Sequence, residues 1–385
     1  PYNWKLASTP GDNDLFPESG LTNNPDYNKN RALLAWYTID PIFTRNNTNT
    51  PKHIRNDSEQ LSNHFVREVK EQEIFPNRET VYGQSSYLSI LNLAYYPTER
   101  GPYNVNYNEI QPDGKLNNPA SRWGGIMREL SSSASDFETA NIEYIEFWLM
   151  DPFVYNQDSV MKGGDLYFNL GNVSEDILKD GKKSFESGLP TDGDTTKTVR
   201  TVWGRVPKMQ SLVYAFETGK SATQDVGLDG INDEEEINFG IYKDYVNQLK
   251  TKLNASTIES MEQDEFSPLN DPAGDNYHYF RGSDYDSEEL SILDRYKHYN
   301  GLEKNSPESS GNSTYSSAAT TLPDVEDINE DNTLNEYERF YEYKVSLRPE
   351  DMQVGQNFIA DKVTSDVSLA NGKTEAVRGI NLKFR

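Results

Sequence analysis

The sequence predicts a mainly β fold, a jelly-roll-like β-sandwich carrying inserted helices and EF-hand-like calcium loops. Short aromatic or β-branched runs bounded by turn residues fill residues 86–170, and such runs read as strands. Two acidic stretches of twelve residues place carboxylates and amides at calcium-loop spacing. At the carboxy terminus Ile380, Leu382 and Phe384 alternate with Asn381, Lys383 and Arg385, the period of a half-buried strand.

Composition narrows the field. A chain of 385 residues suits two or so domains, or one sandwich with large insertions. The hydrophobic share of 35% is low, but 24 Tyr and 16 Phe can build a core. A net charge of −25 opposes nucleic acid as a partner, because no basic stripe can release phosphate counterions. It also opposes docking on an anionic membrane and suits calcium binding. Without cysteine there are no disulfides, thiolate zinc sites or cysteine nucleophiles. Weak calcium loops favour the cell exterior, where calcium is plentiful. No apolar run approaches the ~20 residues of a membrane helix. No signal peptide opens the chain, and PYNWKL is expected to be an internal piece of a longer polypeptide.

Taken in order, residues 1–57 are rich in Asn, Asp, Pro and Gly and predict extended, irregular structure. Their apolar island, NRALLAWYTIDPIF, offers Trp36, Tyr37, Ile39 and Phe43 as anchors. Leu61, Phe65, Val69 and Ile74 predict one amphipathic helix over 58–75, capped by Ser58, with His64 at its rim. SYLSILNLAYYP, WGGIMRELSS, NIEYIEFWLM and GDLYFNLG read as strands. NIEYIEFWLM is apolar on both faces and so belongs in the middle of the sandwich. Residues 174–178 open a short helical turn, RTVWGRVP gives another strand, and MQSLVYAF fits helix or strand.

The first acidic stretch, DVGLDGINDEEE, offers Asp225, Asp229, the Ile231 carbonyl, Asp233 and Glu236 as calcium ligands, with Gly230 for the sharp turn. Gly227 removes one side-chain ligand. The helix that follows buries Tyr242, Tyr245, Val246, Leu249 and Leu253 on one face. LNDPAGDNYHYFRGSDYD could hold further metal, although no spacing rule supports it. Asp286 and Glu289 suggest a capping box for a short helix, and residues 304–323 read as a linker or exposed loop.

The second stretch, DINEDNTLNEYE, offers Asp327, Asn329, Asp331, the Thr333 carbonyl, Asn335 and Glu338, with Asn332 at the turn and a helix expected from Asn335 onward. Strand character then returns. The expected parts are 1–85, extended plus helix; 86–220, sandwich strands; 221–343, inserted calcium-loop and helical region; and 344–385, returning strands.

No enzyme site assembles. His53, His64, His278 and His298 lie in unrelated contexts, and no nucleophile elbow, P-loop or dinucleotide fingerprint appears. Glu143 and Glu146 read best as paired or solvent-edge carboxylates. Aromatic residues on a jelly roll can also stack on sugars, so a carbohydrate-binding or adhesin module stands as the alternative.

NRALLAWYTIDPIF, LAYYPTERGPYN, NIEYIEFWLMDPF, GDLYFNLGNVSEDIL and DVEDINEDNTLNEYERFYEY resemble the SprA (Sov) family of Bacteroidetes, over about residues 30–373. The resemblance implies a segment of the outer-membrane translocon of the type IX secretion system, which also serves gliding motility. That translocon is a giant β-barrel of about 36 strands. This chain lacks the long series of alternating strands a barrel needs, so it is expected to be a soluble portion, with the extracellular cap favoured over a periplasmic position. Implied partners are the rest of the barrel, a PorV-like shuttle, a plug protein and secreted substrates. No nucleic acid or catalysis is implied, and calcium is the expected structural cofactor.

Overall fold

A computed structural model describes residues 3–78, 86–130, 137–155, 162–209, 215–217, 219–300 and 323–385. Among them, eleven strands form five small antiparallel sheets. Strands β1 (Lys5–Leu6) and β4 (Ile126–Met127) pair, as do β2 (Ala32–Tyr37) and β3 (Asn92–Arg100). Strands β7 (Thr198–Arg200) and β8 (Arg205–Pro207) make a hairpin. Strands β6 (Gly164–Asn172) and β9 (Arg339–Leu347) form a long ribbon. The fifth sheet sets β11 (Thr374–Phe384) between β10 (Ile359–Ser368) and β5 (Ile145–Met150).

The mainly β reading with helices describes this architecture, but the described strands do not form the two large sheets of a jelly roll. The sandwich is small. The ribbon packs on the three-stranded sheet through Val345, Ile359, Ile380, Leu382 and Phe384. Phe168 of the ribbon lies 5.2 Å from Phe147 and 5.1 Å from Phe384, centroid to centroid. The alternation of Ile380, Leu382 and Phe384 is as expected, and all three are buried.

Ten helices occur among the described residues: α1 (Pro41–Thr44), α2 (Lys52–Arg55), α3 (Ser58–Ser62), α4 (Glu71–Ile74), α5 (Ser221–Gln224), α6 (Asp233–Glu236), α7 (Gly240–Lys252), α8 (Ala255–Gln263), α9 (Ser283–Ser287) and α10 (Ile292–Lys297). The α7 face buries Tyr242, Tyr245, Val246 and Leu249 as expected. These residues share a core with Trp36, Tyr103, Leu116 and Trp203. A third core gathers Tyr37, Phe43, Ile54, Phe280 and Tyr296.

Several local expectations give way to tertiary demands. The single helix over 58–75 is two short ones, capped by Asp57 rather than Ser58. Asn63 turns extended, and His64 goes inside, where its Nε2 meets Glu375 at 3.1 Å. Strand β5 lies at a sheet edge, not in the middle. Its second face is apolar because Phe75, just past α4, packs edge-on against Trp148 at 5.9 Å. RTVWGRVP is a hairpin arm and tip, since Trp203 dives into the core and its indole N–H donates to Leu178 O at 2.7 Å. Residues 174–178 form no helical turn; the Asp176 carboxylate takes N–H groups that a helix would use. Ser291, not Asp286, caps the last helix, because Glu289 is left-handed at φ +55°. No helix follows Asn335: RFYEYKVSL pairs along its whole length with β6. Most of MQSLVYAF and of residues 304–323 lie outside the described residues.

Removing a ring from the middle of the sandwich leaves a cavity its neighbours cannot fill. Phe384→Ala is expected to cost about 3–5 kcal/mol in urea unfolding, whereas Tyr341→Ala, at a residue 76% exposed, should stay within about 0.5 kcal/mol.

Candidate metal centre

Residues 225–236 fold as a tight loop because glycine stands at two crowded positions. Gly230 has φ +72°, and a Cβ there would lie 2.2 Å from the Arg205 carbonyl oxygen. Gly227 has φ +88°, and its Cβ would lie 1.9 Å from Asp275 Oδ2, so the loop can pass close to that carboxylate only without a side chain. The chain then enters α6 and α7. That places Glu236 at the end of one short helix, aimed at a second loop.

The second loop comes from residues 271–276. Asp271 Oδ1 accepts the N–H groups of Gly274 at 2.6 Å and Asp275 at 3.3 Å, and Oδ2 accepts that of Asn276 at 3.3 Å. This turn carries Asp275 back toward the first loop. Ala273 N–H donates to Glu236 Oε2 at 2.8 Å, and the Asn276 amide donates to both oxygens of Asp233 at 3.1 Å. The Tyr103 hydroxyl donates to Asp275 Oδ2 at 2.8 Å and accepts from Leu228 N–H.

Two triads of carboxylates result, each with its oxygens within 4.8 Å of one another: Asp229, Glu236 and Asp275, and Asp233, Glu236 and Asp271. Glu236 belongs to both. Asp229, Glu236, Asp271 and Asp275 are at most 3% exposed, so water cannot screen their repulsion. Burial, and then the charges of Asp229, Asp275 and Asp271, push the Glu236 carboxyl far above its usual range. Burial raises Asp271 to about 6 against the pull of Arg100. The Tyr242 hydroxyl, wholly buried on α7, is raised by burial and by Asp229 and Glu236.

Each triad brings three hard oxygen donors from two segments, the donor type that calcium takes within its six to eight oxygens in flexible geometry. Three expected ligands, Asp229, Asp233 and Glu236, are brought together. Asp225, half-buried at the start of the loop, is in neither triad, and Ile231 contributes its N–H to Asp229 Oδ1 at 3.1 Å. Asp271 and Asp275 lie in LNDPAGDNYHYFRGSDYD, the stretch read as able to hold further metal, but neither was singled out. Their signal was present: Asp271, Asp275 and Asn276 repeat the spacing of Asp225, Asp229 and Gly230.

The loop over 327–338 is built differently. Asp327 accepts the N–H groups of Asp331 at 3.0 Å and Asn332 at 2.9 Å, and Asn332 is left-handed at φ +67°, as position 6 requires. Asp331 accepts Thr333 N–H at 2.8 Å and the Asn329 and Asn335 amides at 3.2 and 3.0 Å. Thr333 foremost, and then Asn335, hold the Asp331 carboxyl down to about 2. A cation already sits here: Lys183 Nζ lies 2.5 Å from Asp327 Oδ2. Glu338 points away, accepting Gly11 N–H at 2.5 Å and Ser174 N–H at 3.4 Å. Glu175 from before the loop occupies its mouth instead, accepting N–H groups of Ile328, Asn329 and Asn335.

The raised carboxyls tie stability to pH. Folding binds protons on Asp271 and Glu236 more tightly than the unfolded chain does. The stability that Asp271 contributes is full below about pH 4 and drains away as pH rises through about 6. In chelator, Asp271 is expected to cost the chain about 1.3 kcal/mol from about pH 5 to about pH 7, and Asp271→Asn should remove that part of the slope. Calorimetry across this range, with equal slopes for parent and variant as the contrary outcome, decides it.

A family model, SprA_N, described as motility related/secretion protein, matches residues 244–385. The match reaches the last residue, past the point where the resemblance in sequence thins. No curated protein matches the chain. The matched residues include most of α7, the Asp271 turn and strands β9, β10 and β11. Through residues 244–385 the chain is similar to the SprA family of motility-related and secretion proteins.

Proposed function

We propose that this chain is a non-catalytic, calcium-stabilised part of the type IX secretion translocon, standing as a cap on the extracellular side of its outer-membrane barrel. The observation that carries the calcium reading is the pair of carboxylate triads, Asp229, Glu236 and Asp275 and Asp233, Glu236 and Asp271, drawn from two segments and sharing Glu236. Like charges buried this closely repel, and a divalent cation between them turns that repulsion into a tie between α6 and the Asp271 turn. The family match supports a role in secretion and motility at the cell envelope. No helix among the described residues is long and apolar enough to cross a membrane, and the described strands close no barrel. Both fit a part that stands outside the bilayer. The remainder of the barrel, a PorV-like shuttle, a plug protein and the exported substrates are the partners this role requires.

At the Asp327 loop the same proposal asks more of the molecule. Calcium held by Asp327, Asn329, Asp331, the Thr333 carbonyl and Asn335 must displace Lys183, and Glu338 must leave Gly11. Calorimetric titration separates the two loops. The centre at Glu236 is expected to bind in the parent and fail in Glu236→Gln, whereas Asp327→Ala should lower the melting temperature equally with calcium and with chelator. At calcium 100-fold above its dissociation constant the parent gains about 2.7 kcal/mol. Identical parent melting in calcium and chelator would overturn the calcium reading. Placement is tested separately, by an antibody to this segment. A band far larger than this chain in outer-membrane fractions, removed by protease added to intact cells, is expected. A large band that resists the protease puts the segment in the periplasm, and a free band near the size of this chain breaks the translocon reading.

One observation favours the carbohydrate alternative. An open depression of about 480 Å³ is lined by Asp12, Asn13, Asp14, Tyr167, Phe340 and Glu342, an aromatic and polar mixture suited to a sugar face. Glycan-array binding that disappears in Phe340→Ala would support it.

A further inference from the structure

Residues 175–184 read EDILKDGKKS and residues 326–335 read EDINEDNTLN. The two share Glu, Asp, Ile, Asp, a Gly or Asn, and a Ser or Asn at the same six offsets. Their backbones agree as well. Lys179 and Glu330, at equal offsets, are left-handed at φ +54° and +56°, and Gly181 and Asn332 both have φ +67°. Inside each copy the first Asp accepts two N–H groups: Asp176 from Asp180 and Gly181 at 3.1 and 2.9 Å, Asp327 from Asp331 and Asn332 at 3.0 and 2.9 Å. The second Asp accepts the N–H two residues on, from Lys182 at 2.9 Å and from Thr333 at 2.8 Å.

Between the copies the bonds are exchanged. Glu175 Oε1 accepts Ile328 and Asn329 N–H at 2.9 and 3.3 Å, and its Oε2 accepts Asn335 N–H at 3.0 Å. Glu326 Oε1 accepts Ile177 and Leu178 N–H at 2.7 and 3.0 Å, and its Oε2 accepts Ser184 N–H at 2.9 Å. The backbone does the same: Glu175 N–H donates to Asn335 O at 2.8 Å, and Glu326 N–H to Ser184 O at 2.9 Å. Each of these main-chain N–H bonds from one copy has its counterpart at the same offset in the other.

We infer that these two decapeptides are duplicate halves of a self-recognising clasp, in which the binding partner of each copy is the other copy. The clasp ties the segment that follows β6 to the segment that enters β9. It accounts for the acidic pattern at Asp327 without an ion, since its carboxylates accept backbone N–H groups and Lys183. The two elements recognise each other through main-chain donors and one glutamate each, so the shared offsets rather than the remaining side chains define the interface.

Hydrogen exchange on the full chain tests this. Glu175→Gln should lower protection at Ile328, Asn329 and Asn335, and Glu326→Gln at Ile177, Leu178 and Ser184, by about 10- to 100-fold, the worth of bonds to a charged acceptor. Amides of α7 should change much less. Loss confined to the mutated copy, or spread evenly over the molecule, would overturn the clasp. The second arm uses equivalence of the copies. Gly181→Asn, which places in the first copy the residue of the second, should keep the protection pattern, and a Cβ at Gly181 meets nothing within 4 Å. Gly181→Val should not, because a β-branched residue strains at positive φ. Equal damage by both would refute the equivalence.

Discussion

Carboxylates that accept backbone N–H groups inside the protein are the interaction on which the rest of this structure depends. With 62 acidic and 37 basic residues, the chain cannot pair every acid with a base, and it buries many of them regardless. Glu326 is 0% exposed and Glu236 1%. A buried carboxylate survives where fixed dipoles replace water, and here loop N–H groups supply those dipoles. Glu186 shows the same device, joining Val226 and Gly227 N–H to Asp324 N–H. Each such glutamate binds together loops that are remote in sequence, so the polar network does as much to define the fold as the three apolar cores.

The two acidic centres meet the same problem with different donors. Around Asp176 and Asp327 these are backbone amides and one ammonium, and burial still raises the Glu326, Asp176 and Asp180 carboxyls. Around Glu236 carboxylates face carboxylates, and burial together with mutual repulsion drives them toward protonation. The first is held mainly by main-chain donors. The second is where we propose a cation. Distinguishing them required knowing what lies across from each loop, which twelve consecutive residues do not contain.

Legibility in the sequence followed from how local each cause was. The α7 face, the β11 alternation and the left-handed turns at Gly230 and Asn332 depend on neighbours within a few positions, and each was readable. Helix 58–75 failed because His64 is pulled inside by Glu375, a residue of the last hairpin. The helix expected after Asn335 failed because pairing with β6 outweighs any propensity of NEYERFYEY. In the carboxylate cluster, Asp229, Asp233 and Glu236 were grouped by spacing, while Asp271 and Asp275 were named only within a longer stretch because only two carboxylates and one turn residue repeat there. Glu338 matched position 12 by count, yet Gly11, from the other end of the chain, claims it.

A chain without cysteine has no covalent means of holding distant segments together. The paired decapeptides provide a non-covalent one. Ser184 and Glu326, joined at 2.9 Å, stand 142 positions apart, and closing a loop of that size restricts the chain much as a disulfide does. Unlike a disulfide, this staple needs no oxidant to form and no isomerase to correct. It closes in reducing and oxidising surroundings alike, so the tie between these segments is independent of redox conditions.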